Sequence, residues 1–186
     1  NKEKRLQSPK DALTNEGKEQ ILKLQEKLER FNFNEIISSD EKRAIESAEI
    51  ISQWTNKDFK KFSLIREKSS GDFSDKLVSE VDWSLVKGSF LEKKIPGGES
   101  VKDVSMRASE FFKILNGFKQ GETILVVSHG TFLRILLCLI FNKDIQEYLL
   151  NYEFQNSSYI IISRSESGRW FIEESSLVKK ENNKNG

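Results

Sequence analysis

The chain has 186 residues, enough for one domain of ordinary size and too few for two sizeable cores. Its 37% hydrophobic and 32% charged residues mark a globular protein, and 30 basic against 29 acidic side chains leave a net charge of +1. That balance excludes a global field for nucleic acid or anionic membranes, one cysteine excludes an internal disulfide, and one Cys with one His exclude a cysteine–histidine metal site. The longest apolar run, Phe132 to Phe141, is broken by Arg134 and falls far short of the ~20 residues that cross a bilayer. A lone cysteine, Cys138, fits a reducing compartment, so the cytoplasm is the expected location.

In chain order, Thr14 is a good N-cap, and Ile21, Leu24, Leu28 and Phe31 repeat at a spacing that predicts a helix over 15–30. Glu35 to Ser38 reads as a short strand, followed by a helix starting near Asp40 with Ala44, Ala48, Ile51 and Trp54 along it. Lys61 to Ile65 reads as another strand, and residues 74–86 as a helix with Leu77, Val81 and Leu85 on one side. The segment from Lys87 to Gly98 is a loop containing Pro96-Gly97-Gly98. Ser100 then caps a helix through Leu115, built on Val104, Ala108, Phe111, Phe112 and Leu115. Thr123 to Val127 is an uninterrupted apolar run of the kind that suits a strand buried on both faces of a parallel sheet.

A strongly apolar helix follows over 131–141, and Tyr159 to Ser163 with Arg169 to Glu173 flank a turn as a hairpin. Ile160 to Ile162 suit either an edge that pairs chains or a face covered by a helix. Residues 1–178 thus form a single domain, and the Lys/Asn/Glu-rich tail 179–186 is expected to be disordered. Strands alternating with helices predict a three-layer α/β/α domain with a mostly parallel sheet.

His129, the only histidine, stands directly after the apolar strand and before a helix, where ligands bind in open α/β sheets. Gly130 permits close backbone approach, and the helix start behind it favours an anion. The plainer reading of His129 is a hydrogen-bonded histidine at the sheet edge. Arg43 follows Ser38 at a strand-to-helix junction, where its fork would meet a phosphate, or else it is a solvent-facing helix residue. Glu67 is either a general acid, if burial keeps it protonated, or a surface carboxylate. Pro96 to Ser100 reads as a mobile flap or as a simple helix entry. The serine-hydrolase elbow, the phosphate-binding P-loop and the dinucleotide fingerprint are all absent.

Taken together, five segments in order resemble the histidine phosphatase superfamily, the phosphoglycerate-mutase-like phosphatases. They are Leu13-Thr14-x-x-Gly17-x-x-Gln20; Ser38-Ser39-x-x-x-Arg43-Ala44-x-x-Ser47-Ala48; Arg66-Glu67-x-x-x-Gly71; Pro96-Gly97-Gly98-Glu99-Ser100 leading to Arg107; and Val127-Ser128-His129-Gly130 leading to Arg134. Asn156-x-Ser158 also fits, and the resemblance extends over residues 1 to about 174. It implies a phosphatase that needs no metal or cofactor and passes through a phosphohistidine. By that resemblance Arg43 and His129 hold phosphoryl oxygens, with Gly130 and Asn1 beside them, and Glu67 protonates the leaving oxygen.

The family's Arg-His-Gly motif is not in the chain; Asn1 fits the Asn that follows it there, and Arg5-Leu6-Gln7 fits the continuation. The expectation is that the sequence begins just past this motif, that the nucleophilic histidine and the first strand lie upstream, and that the chain as given is inactive. Loss of that strand would leave a cleft between buried strands. The short stretch from Gly71 to Pro96 favours a monoesterase over a mutase, with Phe73, Trp83 and Phe90 either shaping the substrate pocket or packing. A small phosphorylated metabolite is the expected partner. The alternative reading is a non-catalytic phosphate-binding or scaffolding domain of the same fold.

Overall fold

Ile36 and Ile37 are fully buried and enter different cores, one on each face of β1 (Glu35–Ser39). Such two-sided burial makes β1 the middle of a three-stranded parallel sheet, in the order β2-β1-β3, in the computed structural model that describes residues 5–179. β2 (Phe59–Phe62) pairs alongside Ile36 to Ser39, and β3 (Ile124–Val127) alongside Glu35 to Ser38. On the Ile36 face, α1 (Asn15–Leu28) and α2 (Lys42–Thr55) contribute Ile21, Leu28 and Ile51. On the Ile37 face lie α3 (Val101–Gly117), α4 (Gly130–Phe141) and α5 (Ile145–Asn151), with Val104, Phe111, Phe132 and Leu149. The result is the three-layer α/β/α architecture.

β3 departs from the fully buried strand that its composition predicts. Ile124 and Val126 pack on one core, Leu125 and Val127 on the other, yet all four remain only half-buried. The reason is its edge: among the described residues β3 pairs with β1 alone.

Two other expectations are corrected. Residues 74–86 form no α-helix; two 3-10 turns, Val78–Glu80 and Trp83–Leu85, take their place. Asp75 has a left-handed φ of 70°, Asp82 binds the Ser84 amide, and Lys76 and Asp75 hydrogen-bond to the backbone of Leu6, so local polar bonds displace the helical ladder. Leu77 and Leu85 are consequently exposed, while Val81 packs with Phe73 and Ile95. The strand predicted over 61–65 stops at Phe62, because Ser63–Ile65 coils into a 3-10 turn whose carbonyls serve side chains: Arg107 binds Leu64 O and Ser128 Oγ binds Ile65 O.

The hairpin is β5 (Ile160–Arg164) and β6 (Trp170–Ser175), with a bulge at Ile161/Ile162. It is tied to both helical layers, through Arg164 to the Phe118 carbonyl after α3 and through Glu174 to Arg30 after α1. The sequence offered no sign of α5 or of the short antiparallel pair β4 (Tyr152–Glu153) and β7 (Val178–Lys179). Lys179, the first residue of the expected tail, pairs with Tyr152; the rest of that tail, and Asn1, lie outside the described residues. Among the described residues no helix is long and apolar enough to cross a membrane.

The loop Pro96-Gly97-Gly98 presses directly on residues 69–72: Asp72 N donates to Pro96 O at 2.9 Å and Glu99 N to Ser69 O at 3.1 Å. Ser100 and Asp103 then close a reciprocal capping box that opens α3. This segment is a brace and a helix entry. At Gly71, where φ is +46°, a Cβ would stand 2.2 Å from Pro96 O and 2.3 Å from Gly98 N. Gly71→Ala is therefore expected to lower stability by about 1–3 kcal/mol in urea denaturation. Gly117→Ala, where the added Cβ meets nothing within 4 Å, should change it by less than about 0.5–1 kcal/mol.

Candidate active site

β1 and β3 run parallel with Ser38 opposite Val127, so Ser39 and His129 leave the sheet together at its carboxyl end. Ser39 is completely buried, and its Oγ lies 2.9 Å from His129 Nε2. His129 is the N-cap residue of α4 and is 7% exposed. Burial first, then the neighbouring Arg43 and Arg107 cations, push its pKa down to about 3 against a small opposing pull from Asp40. The imidazole is therefore neutral at ordinary pH.

Glu41 is the N-cap of α2, yet its carboxyl does not cap the helix and turns inward instead. Its Oε2 stands 2.5 Å from Arg43 Nη2 and 3.5 Å from His129 Nε2. Its Oε1 accepts the Glu67 N–H at 3.1 Å. Burial raises the pKa of this carboxyl; Arg43 and the Glu67 amide oppose that rise, and the Glu67 carboxylate adds to it. Arg43 also donates through Nη1 to Ser8 O at 3.0 Å, which fixes its fork between the N-terminal segment and the cleft.

Glu67 follows the Ser63–Ile65 turn. Its Oε1 accepts the Lys68 amide at 2.7 Å and its Oε2 the Thr131 amide at 3.2 Å, so the carboxylate sits at the N-terminus of α4, where the helix dipole favours it. A second layer holds this segment in place. Arg107 on α3 binds the carbonyls of Leu64, Arg66 and Glu67, and its fork pairs with Glu99 at 2.7 and 2.8 Å. Glu99 in turn accepts Ser69 N at 3.0 Å. At the rim, Asp40 and Arg66 form a bidentate pair at 2.5 Å, which holds the Asp40 carboxyl below its ordinary range.

Of these groups, Arg43, Glu41 and Glu67 line a cavity of about 350 Å³, together with Lys68, Thr131 and Trp83 among others. Burial lowers the pKa of Lys68 there, against the pull of Glu67 and Glu99. His129 is not among the lining residues, and its Nε2 is 3.5 Å from Glu41 Oε2. The structure thus brings together Arg43, Glu67, His129 and Gly130, the first residue of α4. Asn1 lies outside the described residues. Of the three aromatic candidates, Trp83 lines the cavity, Phe73 is buried against it edge-to-face, and Phe90 packs on the main core. Glu41, Ser39 and the Arg107–Glu99 clamp were not assigned site roles from the sequence. The one available signal was a carboxylate two residues before Arg43. No cluster of three metal-ligating side chains occurs among the described residues.

A family model described as the histidine phosphatase superfamily, branch 1, matches residues 1–176. The chain is 34% identical over 148 residues to a probable phosphoglycerate mutase GpmB of Salmonella choleraesuis, covering 75% of this chain and 68% of that one. A protein of the same name from Escherichia coli is 32% identical with the same coverage. Among solved structures, a mycobacterial glucosyl-3-phosphoglycerate phosphatase in complex with VO3 superposes with a TM-score of 0.79 at 21% identity, over 92% of this chain and 90% of that one. Bacillus stearothermophilus YhfR gives 0.80 at 23% identity, over 92% and 88%. At those identities the structural likeness shows the fold.

The buried neutral imidazole has a consequence for stability. The unfolded chain binds a proton on histidine below pH 6.5, whereas folded His129 resists protonation until about 3. Its contribution is complete above pH 6.5 and declines as the pH falls from there, by at most about 1.4 kcal/mol per pH unit. Glu41, with its pKa raised, works in the opposite sense: its proton adds stability as the pH falls. Urea denaturation at a series of pH values should show a shallower acid limb between pH 6.5 and 5 in His129→Asn than in the parent. Equal slopes would show that His129 is not the group responsible.

Proposed function

Because the chain belongs to the histidine phosphatase superfamily, we propose that it serves a metal-independent phosphomonoesterase that acts on a small phosphate ester through a phosphohistidine. The observation that carries this reading is the convergence of Arg43 Nη2 and His129 Nε2 on a single carboxylate oxygen of Glu41, at 2.5 and 3.5 Å. A guanidinium and an imidazole set this close around one carboxylate oxygen suit a phosphoryl oxygen in the same place. In phosphoryl transfer, such positioning and charge neutralisation are the main work of the protein.

In this mechanism Arg43 and His129 hold the non-bridging oxygens, and the backbone at Gly130 and Thr131 closes the floor. In keeping with the family resemblance, His129, which is bonded to Ser39, is assigned to holding the phosphoryl group, and a second imidazole to the nucleophile. We place that imidazole upstream of Asn1, on a strand that would join the open edge of β3. Attack on phosphorus breaks the ester P–O bond, and the Glu67 carboxyl gives its proton to the leaving oxygen. Water then attacks the phosphohistidine, Glu67 takes back a proton, and phosphate leaves. The proposed partner is a small phosphorylated metabolite and the proposed setting the cytoplasm, in keeping with one buried thiol, Cys138.

The full-length native protein should hydrolyse p-nitrophenyl phosphate undiminished in excess EDTA, with an acid-labile phosphoenzyme trapped on quenching. Arg43→Ala and His129→Ala should each lower kcat/KM by about 100-fold or more. Loss of turnover in EDTA, or full activity in His129→Ala, overturns the reading. Turnover by the 186-residue chain alone would place the nucleophile within it.

A further inference from the structure

The cleft already contains a carboxyl group of its own. Glu41 is 5% exposed, and its carboxyl reaches past the helix start it might cap to lie between Arg43 and His129. Its Oε2 has no hydrogen-bond partner, although Arg43 Nη2 is 2.5 Å away: the guanidinium is near but not aimed along a lone pair. Its Oε1 is held by the Glu67 amide, so a simple rotation out of the cleft would break a bond that positions the Glu67 loop. A buried oxygen on a cavity-lining side chain, close to a cation yet without a partner, is arranged to meet something further.

We infer that Glu41 is a proton-operated gate of this pocket: its ionised carboxylate is the resident occupant, and a phosphate-like dianion enters as Glu41 takes up a proton from solvent. The inference rests on the proposed function, since it assumes that this cleft is the phosphoryl site. Two unprotonated anions on one guanidinium, in a cleft with low exposure to water, repel each other strongly. Once protonated, Glu41 Oε2 becomes a donor and adds a hydrogen bond to the incoming oxygen, while Arg43 is freed to neutralise it. Glu41 then acts as a positioning and gating residue.

The surroundings make this linkage readable. The charged groups that face Glu41 are Arg43 on α2, Asp40 and Arg66 at the rim, and Glu67 and Lys68 on the loop after β2, with His129 at the head of α4. Arg5 also lines the cavity and is paired with Asp75 and Asp11. His129, the only histidine, is pushed down to about 3 in the free protein, and a bound dianion would raise it, so it competes with Glu41 for the proton. Lys68 is a second competing titratable group, since its charge also favours an anion and burial lowers its pKa.

Sulfate is the probe, because its charge stays fixed across the range while that of phosphate does not. Calorimetry of the 186-residue chain with sulfate between pH 5 and 8.5, in two buffers of different ionisation enthalpy, measures both affinity and protons taken up. The expected result is that affinity falls as the pH rises and that close to one proton is taken up per sulfate at pH 8. Glu41→Gln should bind at least about tenfold more tightly than the parent at pH 8, with little pH dependence and no proton uptake. Absence of proton uptake by the parent overturns the gate, and this arm needs no variant to fold. A pH dependence that survives in Glu41→Gln assigns the linkage to Lys68 or His129 and likewise overturns it. In both of those cases Arg43→Ala still loses sulfate, and the phosphoryl site stands. If neither the parent nor Glu41→Gln binds sulfate at any pH, the phosphoryl site itself falls, and the gate with it.

Discussion

The candidate active site depends on two parallel strands that end level with one another. With Ser38 opposite Val127, the next residues of β1 and β3 emerge side by side, and the helices that follow them, α2 and α4, start at the same edge of the sheet. Two helix N-termini so placed each direct the positive end of a dipole at the cleft, in a protein whose net charge is only +1. The link from Ser39 Oγ to His129 Nε2 joins the two strand ends, buried on both sides. Slipping the register by one residue would separate Arg43 from His129 and reverse the faces of Ile36 and Ile37, so packing of the two cores enforces the geometry of the cleft.

Burial has a uniform effect on this cleft. It lowers the pKa of His129 and of Lys68 and raises that of Glu41, so each of the enclosed groups is pushed toward its neutral form. The Asp40–Arg66 pair, nearer to solvent and bidentate, is driven the other way and stays ionised. The cleft therefore has a weakly charged floor and a charged rim. An ionised substrate entering it meets few counter-charges already committed to one another, apart from Arg43 and Glu41.

The long connection between β2 and α3 carries Glu67 without an α-helix to stiffen it. Its rigidity comes from three other sources. Arg107 gathers three carbonyls of residues 64–67, Glu99 ties that guanidinium to the Ser69 amide, and Gly71 and Gly98 allow two backbone segments to touch. The small cluster of Phe73, Val81 and Ile95 anchors the far part of the loop. These supports place the Glu67 carboxylate against the first turn of α4, so the residue proposed to move a proton is held from both sides.

Periodicity was sufficient wherever an element buried a full apolar stripe. α1, α3, α4 and β1 all stand within a few residues of their predicted positions, because Ile21 and Leu28, Val104 and Phe111, or Ile36 and Ile37 leave few other ways to cover apolar surface. It failed over 74–86, where three aliphatic residues four apart carried too little burial to outweigh the local bonds of Asp82 and Leu6. It also overstated the burial of β3, since composition reports apolar faces but not whether an edge is paired. Arg43, Glu67 and His129 could be singled out near strand ends, but their site roles came from the family resemblance and not from spacing. The inward turn of Glu41 was not legible, because a carboxylate at an N-cap ordinarily binds its own helix. Only the folded arrangement, which sets His129, Arg43 and the Glu67 amide around that side chain, could decide otherwise: local sequence determines which conformations a residue prefers, and distant neighbours determine which charge it must face.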